Sequence, residues 1–203
     1  MDDSKVHWER IYKIKTPQEV SWTENKPNTS LELISNAKLS LDAQIIDVGG
    51  GDSHLVDHLI DLGYKNLTVL DISETAIIRA QERLGDRASQ VKWVVSDVLD
   101  YNPELSYDLW HDRASFHFQA SAESIRDYLT LLKRAAKGHV IIGTFSTNGP
   151  KKCSGLDIIQ YNEASLKQLF EKHGFESLSF EKQIHTTPFN TEQEFIFGSF
   201  TAK

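Results

Sequence analysis

The chain is poor in several things at once, and each shortage closes a door. It has one cysteine, Cys153, among 203 residues, so no disulfide forms within it and a reducing, cytoplasmic setting is expected. No apolar run approaches the ~20 residues that span a bilayer, so no membrane role is expected. The N-terminal residues Met1-Asp2-Asp3-Ser4-Lys5 lack a basic region followed by an apolar stretch, so no secretion signal is expected. Basic residues are outnumbered, 22 against 29 acidic, for a net charge of −7. A partner held through many phosphates usually meets a basic surface, so nucleic acid is not expected. Internal repeats and low-complexity tracts are absent.

What remains is ordinary globular composition, 39% hydrophobic and 25% charged, in a length that suits about one domain with its own core. Within it one stretch stands apart: Gln44-Ile45-Ile46-Asp47-Val48-Gly49-Gly50-Gly51-Asp52-Ser53. It reads as a short buried strand, an acid, a glycine turn and the start of a helix. Three consecutive glycines serve neither strand nor helix, because glycine loses the most backbone entropy on folding. They serve where backbone must come close to a ligand, and this arrangement makes a cradle for a nucleoside-like cofactor at the carboxyl edge of an α/β sheet.

Around that stretch the pattern alternates. A short helix is predicted over 4–14, then a loop over 16–28 punctuated by Pro17 and Pro27, then a helix N-capped by Thr29. Strands follow at 43–48, 66–71, 91–96, 107–111 and 139–145, with helices at 53–62, after Ser73 and at 122–137. A helix at 163–173 precedes strands at 175–183 and 193–200. Alternation implies a parallel sheet with right-handed crossovers. The last two strands are separated only by a loop around Thr187-Pro188-Phe189-Asn190, so they pair as an antiparallel hairpin. The expected architecture is a Rossmann-like, doubly wound α/β sheet of seven strands: five parallel, then the hairpin. Residues 1–28 form an N-terminal lid segment and 29–203 the binding domain.

That topology, with its acids, resembles the class I, seven-strand S-adenosylmethionine-dependent methyltransferases over about residues 29–201. The resemblance implies that Asp47, Gly49, Gly50 and Gly51 pass under the methionine and ribose of S-adenosylmethionine, with Ser53 where the family has a third glycine. It implies that Asp71, followed by Ile72, accepts both ribose hydroxyls, and that Asp97 and Val98 hold the adenine. A carboxylate suits a vicinal diol because it offers two acceptor oxygens to two donors. The competing reading is that Asp71 and Asp97 only cap the helices behind them. Trp22, in Glu19-Val20-Ser21-Trp22, lies where the family folds a lid over the cofactor.

The segment Trp110-His111-Asp112-Arg113-Ala114-Ser115-Phe116-His117-Phe118 follows the fourth strand, where the family places residues facing the transferred methyl group. His111, Asp112, Arg113 and His117 are costly to bury without a purpose, and they are the candidate catalytic groups. Asp112-Arg113 loosely resembles the Asp-Lys pair of several protein lysine methyltransferases of the family. The alternative is a local Asp112–Arg113 ion pair with the aromatics packed under a loop. Cys153 and His185 are weaker candidates for the same mouth.

His54 and His58 stand four apart with Asp57 between them, a metal-ligand spacing better read as a solvated helix face, so no metal is expected. Glu82, Arg83, Asp86 and Arg87 read as mixed-sign solvated surface. A nicotinamide-dependent oxidoreductase shares the glycine turn, but its fingerprint wants glycine where this chain has His54. A non-catalytic cofactor-binding protein on the same fold is the second rival. The reading is a methyltransferase, with S-adenosyl-L-homocysteine as product, acting on a small-molecule acceptor. A protein lysine is the alternative acceptor, and a monomer or weak homodimer the expected state.

Overall fold

A computed structural model describes residues 3–202; Met1, Asp2 and Lys203, the ends of the two expected segments, lie outside the described residues. One seven-stranded sheet organises the molecule, in the order β3-β2-β1-β4-β5-β9-β8. The strands are β1 (Gln44–Val48), β2 (Asn66–Asp71), β3 (Val91–Val95), β4 (Tyr107–Arg113) and β5 (Ala136–Phe145), which run parallel. At the far edge β9 (Glu192–Ala202) pairs antiparallel with β5 and with β8 (Phe175–Thr186). The expected Rossmann-like sheet and its terminal hairpin are both present.

Among the described residues six α-helices frame the sheet: α1 (Asp3–Ile14), α2 (Asn28–Asn36), α3 (Leu55–Asp61), α4 (Glu74–Leu84), α5 (Ala122–Ala135) and α6 (Glu163–Lys172). Strand side chains alternate between faces, and this splits the core in two. On one face Ile45, Val69, Leu109 and Ile141 pack with Leu33 and Ile34 of α2, Leu55 and Leu59 of α3, and Ile77 of α4. On the other, Ile46, Leu70, Trp110 and Val140 pack with Tyr128 and Leu132 of α5 and Leu166 and Phe170 of α6. Phe170 stacks on Phe200 at 4.2 Å between ring centroids, closing the hairpin end of this layer.

Several boundaries differ from the sequence reading, each for a physical reason. Helix α2 starts at Asn28 behind Pro27, so Thr29 lies inside the first turn and is not the cap; Pro27 ahead of it has no N–H to leave unsatisfied. Strand β4 runs on to Arg113, two residues further than expected, because Asp112 and Arg113 pair with Ile142 and Gly143 of β5. Strand β5 begins at Ala136 directly behind α5, where Ala136 pairs with Tyr107. A two-residue ladder, β6 (Lys152–Cys153) with β7 (Leu156–Asp157), folds the loop after β5 back on itself, which the pattern did not announce. Ser73 caps α4 as expected, accepting from the Ala76 N–H at 3.2 Å.

Candidate active site

Parity along the strands decides what meets at the carboxyl edge. Asp47, Asp71, His111 and Arg113 sit an even number of residues from Ile45, Val69 and Leu109, so all four point to the face shared with α2, α3 and α4. There they edge a cavity of about 540 Å³. Its floor is the glycine turn with Asp47, Asp71, Asp97 and Val98; its opposite wall is Trp8, Tyr12, Pro17, Val20 and Trp22 from the N-terminal segment.

The turn is held before anything binds. The Gly49 and Gly50 N–H groups both reach the Leu70 carbonyl, at 2.8 and 3.3 Å, and Gly49 takes φ +69°, a left-handed conformation that glycine adopts at no steric cost. A Cβ on Gly51 would stand 2.5 Å from Asp71 Oδ2 and 2.9 Å from Ala76 Cβ, so only glycine fits. Behind the turn, Arg83 of α4 donates to Asp52 Oδ1 at 2.7 Å, to Asp57 Oδ2 at 2.8 Å and to the Ser53 carbonyl at 2.7 Å. Arg83 is therefore a clamp on the turn rather than solvated surface. Burial pushes the Asp52 carboxyl up against the opposing pull of Arg83 and Arg79.

Asp71 is 6% exposed. Burial raises its carboxyl to about 7 in spite of hydrogen bonds from the Ser73 and Gly51 backbone. Its Oδ1 accepts from the Ser73 N–H at 2.8 Å, and Asp97 Oδ1 likewise accepts from Leu99 N–H at 2.8 Å. Each acid thus caps its own turn while still edging the cavity with Ile72 and Val98. A desolvated carboxylate beside glycine backbone fits a neutral polyol such as a ribose. Asp47 adds an unsatisfied acceptor: its Oδ2 is buried with no hydrogen-bond partner.

Deeper on the same face, Asp47 and His111 are register partners on β1 and β4. His111 Nδ1 lies 2.7 Å from Asp47 Oδ1 and its Nε2 lies 2.9 Å from Ser30 Oγ of α2. Arg113 donates to the Trp22 carbonyl at 3.0 Å, lies 3.1 Å from Glu24 Oε1, and sits 4.9 Å above the Phe195 ring. Its guanidinium ties β4 to the N-terminal segment.

The other two polar groups of that run go elsewhere. Asp112 points to the α5 face, wholly buried, where Oδ1 accepts from the Ser115 and Phe116 N–H groups at 2.9 and 3.0 Å and Oδ2 from Tyr128 Oη at 2.6 Å. Burial raises it to about 6 against those hydrogen bonds. His117 is fully buried, stacked on Phe145 at 4.8 Å, and burial together with Arg113 lowers it to about 3. Neither lines the cavity, and the alternative of a local Asp112–Arg113 pair is not what forms, since each has other partners. Cys153 does line it, with burial pushing its thiol up to about 12. His54 and His58 both reach the Asn25 carbonyl, at 3.3 and 3.1 Å.

The N-terminal segment is fastened at two places that local sequence patterns did not reveal. Glu9 of α1 accepts from the Glu74 N–H and from Thr75 Oγ1 at the start of α4. Glu24 meets Arg113, Gln183 and His185. Trp8 lies at the centre of an aromatic group, with ring centroids 5.2 Å from Phe118, 5.7 Å from Trp22 and 6.3 Å from Tyr12.

Strand order, hairpin, glycine turn and strand-end acids define the class I methyltransferase fold. Residues 45–139 match a family model described as a methyltransferase domain. Among solved structures, the N-methyltransferase NodS from Bradyrhizobium japonicum with S-adenosyl-L-homocysteine aligns over 99% of each chain, with TM-score 0.75 and 16% identity. The structure described for conversion of a disulfide bond into a thioacetal group during echinomycin biosynthesis aligns over 98% of this chain and 93% of that one, with TM-score 0.79 and 20% identity. Among curated proteins, EEF1A lysine methyltransferase 2 of Homo sapiens is 25% identical over 149 residues, 66% of this chain and 63% of that protein. Malonyl-(acyl-carrier protein) O-methyltransferase 1 of Ilyobacter polytropus is 33% identical over 75 residues, 36% of this chain and 28% of that protein. The chain spans less than two thirds of the length of these curated relatives. Residues 45–139 thus resemble a methyltransferase domain in sequence, and the chain shares its fold with class I methyltransferases. Among the described residues, no helix is long and apolar enough to cross a membrane.

Proposed function

We propose that this chain transfers a methyl group from S-adenosylmethionine to a small-molecule acceptor with a nitrogen, sulfur or oxygen nucleophile. The observation that carries the reading is Asp71, a buried carboxyl raised to about 7, standing beside a backbone cradle that admits no Cβ. Asp71 and Ile72 would hold the ribose, Asp97 and Val98 the adenine, and Asp47, Gly49, Gly50, Gly51 and Ser53 the methionine end. When bound, the cofactor supplies an electrophilic methyl group on a sulfonium, so the protein has mainly to position, deprotonate and exclude water.

For deprotonation the arrangement favours His111. Asp47 takes the Nδ1 hydrogen and leaves Nε2 with its lone pair toward Ser30, so a proton leaving the acceptor passes through the Ser30 hydroxyl to the ring. Asp112 and His117 fall to the support of the turn after β4, and Arg113 to holding the wall. Residues 3–27 act as the lid, with Trp22 over the cavity. The lid closes a space within the range of single-ligand sites, and this supports a small acceptor. Trp8, Tyr12, Trp22 and Phe118 suit an apolar or flat one. The two arginines on the wall, Arg79 and Arg113, each face a carboxylate, Asp52 at 3.8 Å and Glu24 at 3.1 Å, which disfavours an anion. The protein-lysine alternative rests on the name of the human relative and requires the lid to leave an entrance. A monomer, or weak homodimer, in the cytoplasm fits the single buried thiol and the acidic surface.

Thermal unfolding with S-adenosylmethionine, S-adenosylhomocysteine or NAD, on wild type and Asp71→Asn, tests the reading. Ligand at about 100 times its Kd stabilises by about 2.7 kcal/mol, worth about 2–4 °C per kcal/mol at this size. The expected result is a shift of several degrees with the adenosyl ligands, lost in Asp71→Asn. A shift with NAD alone, or none, overturns it. Acceptor screening by S-adenosylhomocysteine release, with small thiols, amines and a lysine peptide, then separates the acceptor classes.

A further inference from the structure

Residue 185 of the terminal hairpin does something the proposed reaction does not require of it. His185 is 3% exposed, on β8, with its ring edge-on to Phe195. Its Nε2 lies 2.6 Å from the Ser21 carbonyl oxygen, and its Nδ1 lies 3.0 Å from Glu24 Oε1. Ser21 and Glu24 flank Trp22 in the segment that walls the cavity. Both acceptors lack hydrogens: a backbone carbonyl never donates, and an ionised carboxylate does not either. A neutral imidazole carries a single N–H, so it satisfies one of them and turns a lone pair on the other. Only the imidazolium makes both contacts.

Other groups around the ring agree with a cation there. Glu24 Oε1 also receives Gln183 Nε2 at 2.9 Å and faces Arg113 Nη2 at 3.1 Å. Burial pushes the Glu24 carboxyl up, but hydrogen bonding from His185 and the charges of Arg113 and His185 outweigh it and leave it below the ordinary value. From the lid the ring faces Glu24; from β4 it meets Arg113 across that same carboxylate; from β9 its register partner is the neutral Gln193. One carboxylate therefore sits between two cations.

We propose that His185 is a positioning residue that latches the segment carrying Trp22 over the cavity, and that the latch is made by the protonated ring alone. The sign follows directly. A closed state that needs the extra proton is favoured at low pH and loses one of its two contacts when the ring gives that proton up. The lid then opens more often, so ligand exchange quickens with rising pH. Retention and exchange are thereby set from the hairpin, by a group that does not line the cavity. The latch concerns the lid alone and stands whether or not the ligand is an adenosyl compound; only its effect on exchange rests on the function proposed above.

The test is made on the full chain without ligand. Amide hydrogen exchange of residues 16–27, corrected for the intrinsic rate at each pH, reads the open fraction, and 5-fluorotryptophan NMR follows the Trp22 resonance. In wild type, protection of this segment is expected to fall about tenfold or more as pH rises, the worth of one charge-assisted hydrogen bond. His185→Gln is expected to show the low protection at every pH. Glu24→Gln is expected to do the opposite: its amide can donate to a neutral ring, so protection persists and the pH response flattens. Unfolding midpoints of both variants, read on the core amides of β1 and β4, separate a lost latch from a lost fold. A wild-type profile flat with pH, or a Glu24→Gln profile that still falls like wild type, overturns the proposal. Stopped-flow release of S-adenosylhomocysteine is the second readout. If that compound does not bind while the pH-dependent protection is present, the cofactor reading fails and the latch stands.

Discussion

The floor of the cavity and its N-terminal wall are built by different means. The floor is backbone: glycines hydrogen-bonded to the end of β2, carboxylates capping their own turns, a strand register that pairs Asp47 with His111. The wall is side chains reaching a long way: Glu9 to Thr75, Glu24 to Gln183, Arg113 to the Trp22 carbonyl. A surface made of ladder bonds moves only if the sheet does, whereas one made of a few ionic contacts can part from the sheet locally. Chemistry that needs both an exact cradle and an exchangeable ligand is served by that division.

The sharpest way to break the comparison is to damage the floor. Gly51→Val places atoms 2.5 Å from Asp71 Oδ2 and 2.9 Å from Ala76 Cβ; overpacking of this kind costs about 1–3 kcal/mol. We expect a Tm lower by several degrees and no ligand-induced shift at all. A variant that still gained stability from S-adenosylhomocysteine would show the turn to be adaptable.

Asp71→Asn probes the floor with the opposite sign. An acid raised to about 7 when folded binds more protons in the native state than in the unfolded chain between its ordinary value and 7. Stability therefore declines as pH rises through that window. Removing the charge should raise the ligand-free Tm at pH 8 while abolishing the cofactor shift. In wild type, cofactor affinity should strengthen as pH climbs through about 7, because only the carboxylate accepts from two hydroxyls; isothermal titration across pH 6–8 checks it. A lower ligand-free Tm for Asp71→Asn would contradict the raised carboxyl.

Damage to the wall should be milder. Glu9→Gln weakens a carboxylate at the N-terminus of α4, worth about 1 kcal/mol. We expect residues 3–14 to become protease-sensitive while the sheet keeps its exchange protection; loss of both together would erase the distinction between the two regions. The smallest effect belongs to Cys153. Its thiol, pushed up to about 12, should resist iodoacetamide in the native protein and react once unfolded. Rapid native labelling would mean that the wall stands open.

The same division decides what could be read from sequence. The floor is local: a short apolar run, three glycines and an acid at each strand end speak for themselves, and the parallel pairing follows from the alternation of strands and helices. Helices and strands were recognisable, although Pro27 moved the start of α2. The candidate catalytic run divides by parity. Ending β4 at residue 111 left Asp112 free to face the methyl group; extending it by two residues turns Asp112 to α5 and keeps His111 and Arg113 together. The alternation Trp110, His111, Asp112, Arg113 carried that signal. Arg83 looked solvated because its partners lie 26 and 31 positions away. Ser30 and Glu24 gave no pattern, and His185 only its place near the hairpin tip, since their partners stand 81 to 164 positions off. Contacts between distant side chains have no period to detect.

Arg83 also has a thermodynamic consequence. A run of three glycines is an entropic debt, and a loop left loose settles it when its ligand arrives, at the expense of affinity. By gripping Asp52, Ser53 and Asp57 from behind, Arg83 orders the turn as part of folding. The recognition surface is thus preorganised by a residue outside the cavity, and the strength with which this protein holds a ligand is decided partly where α4 meets α3.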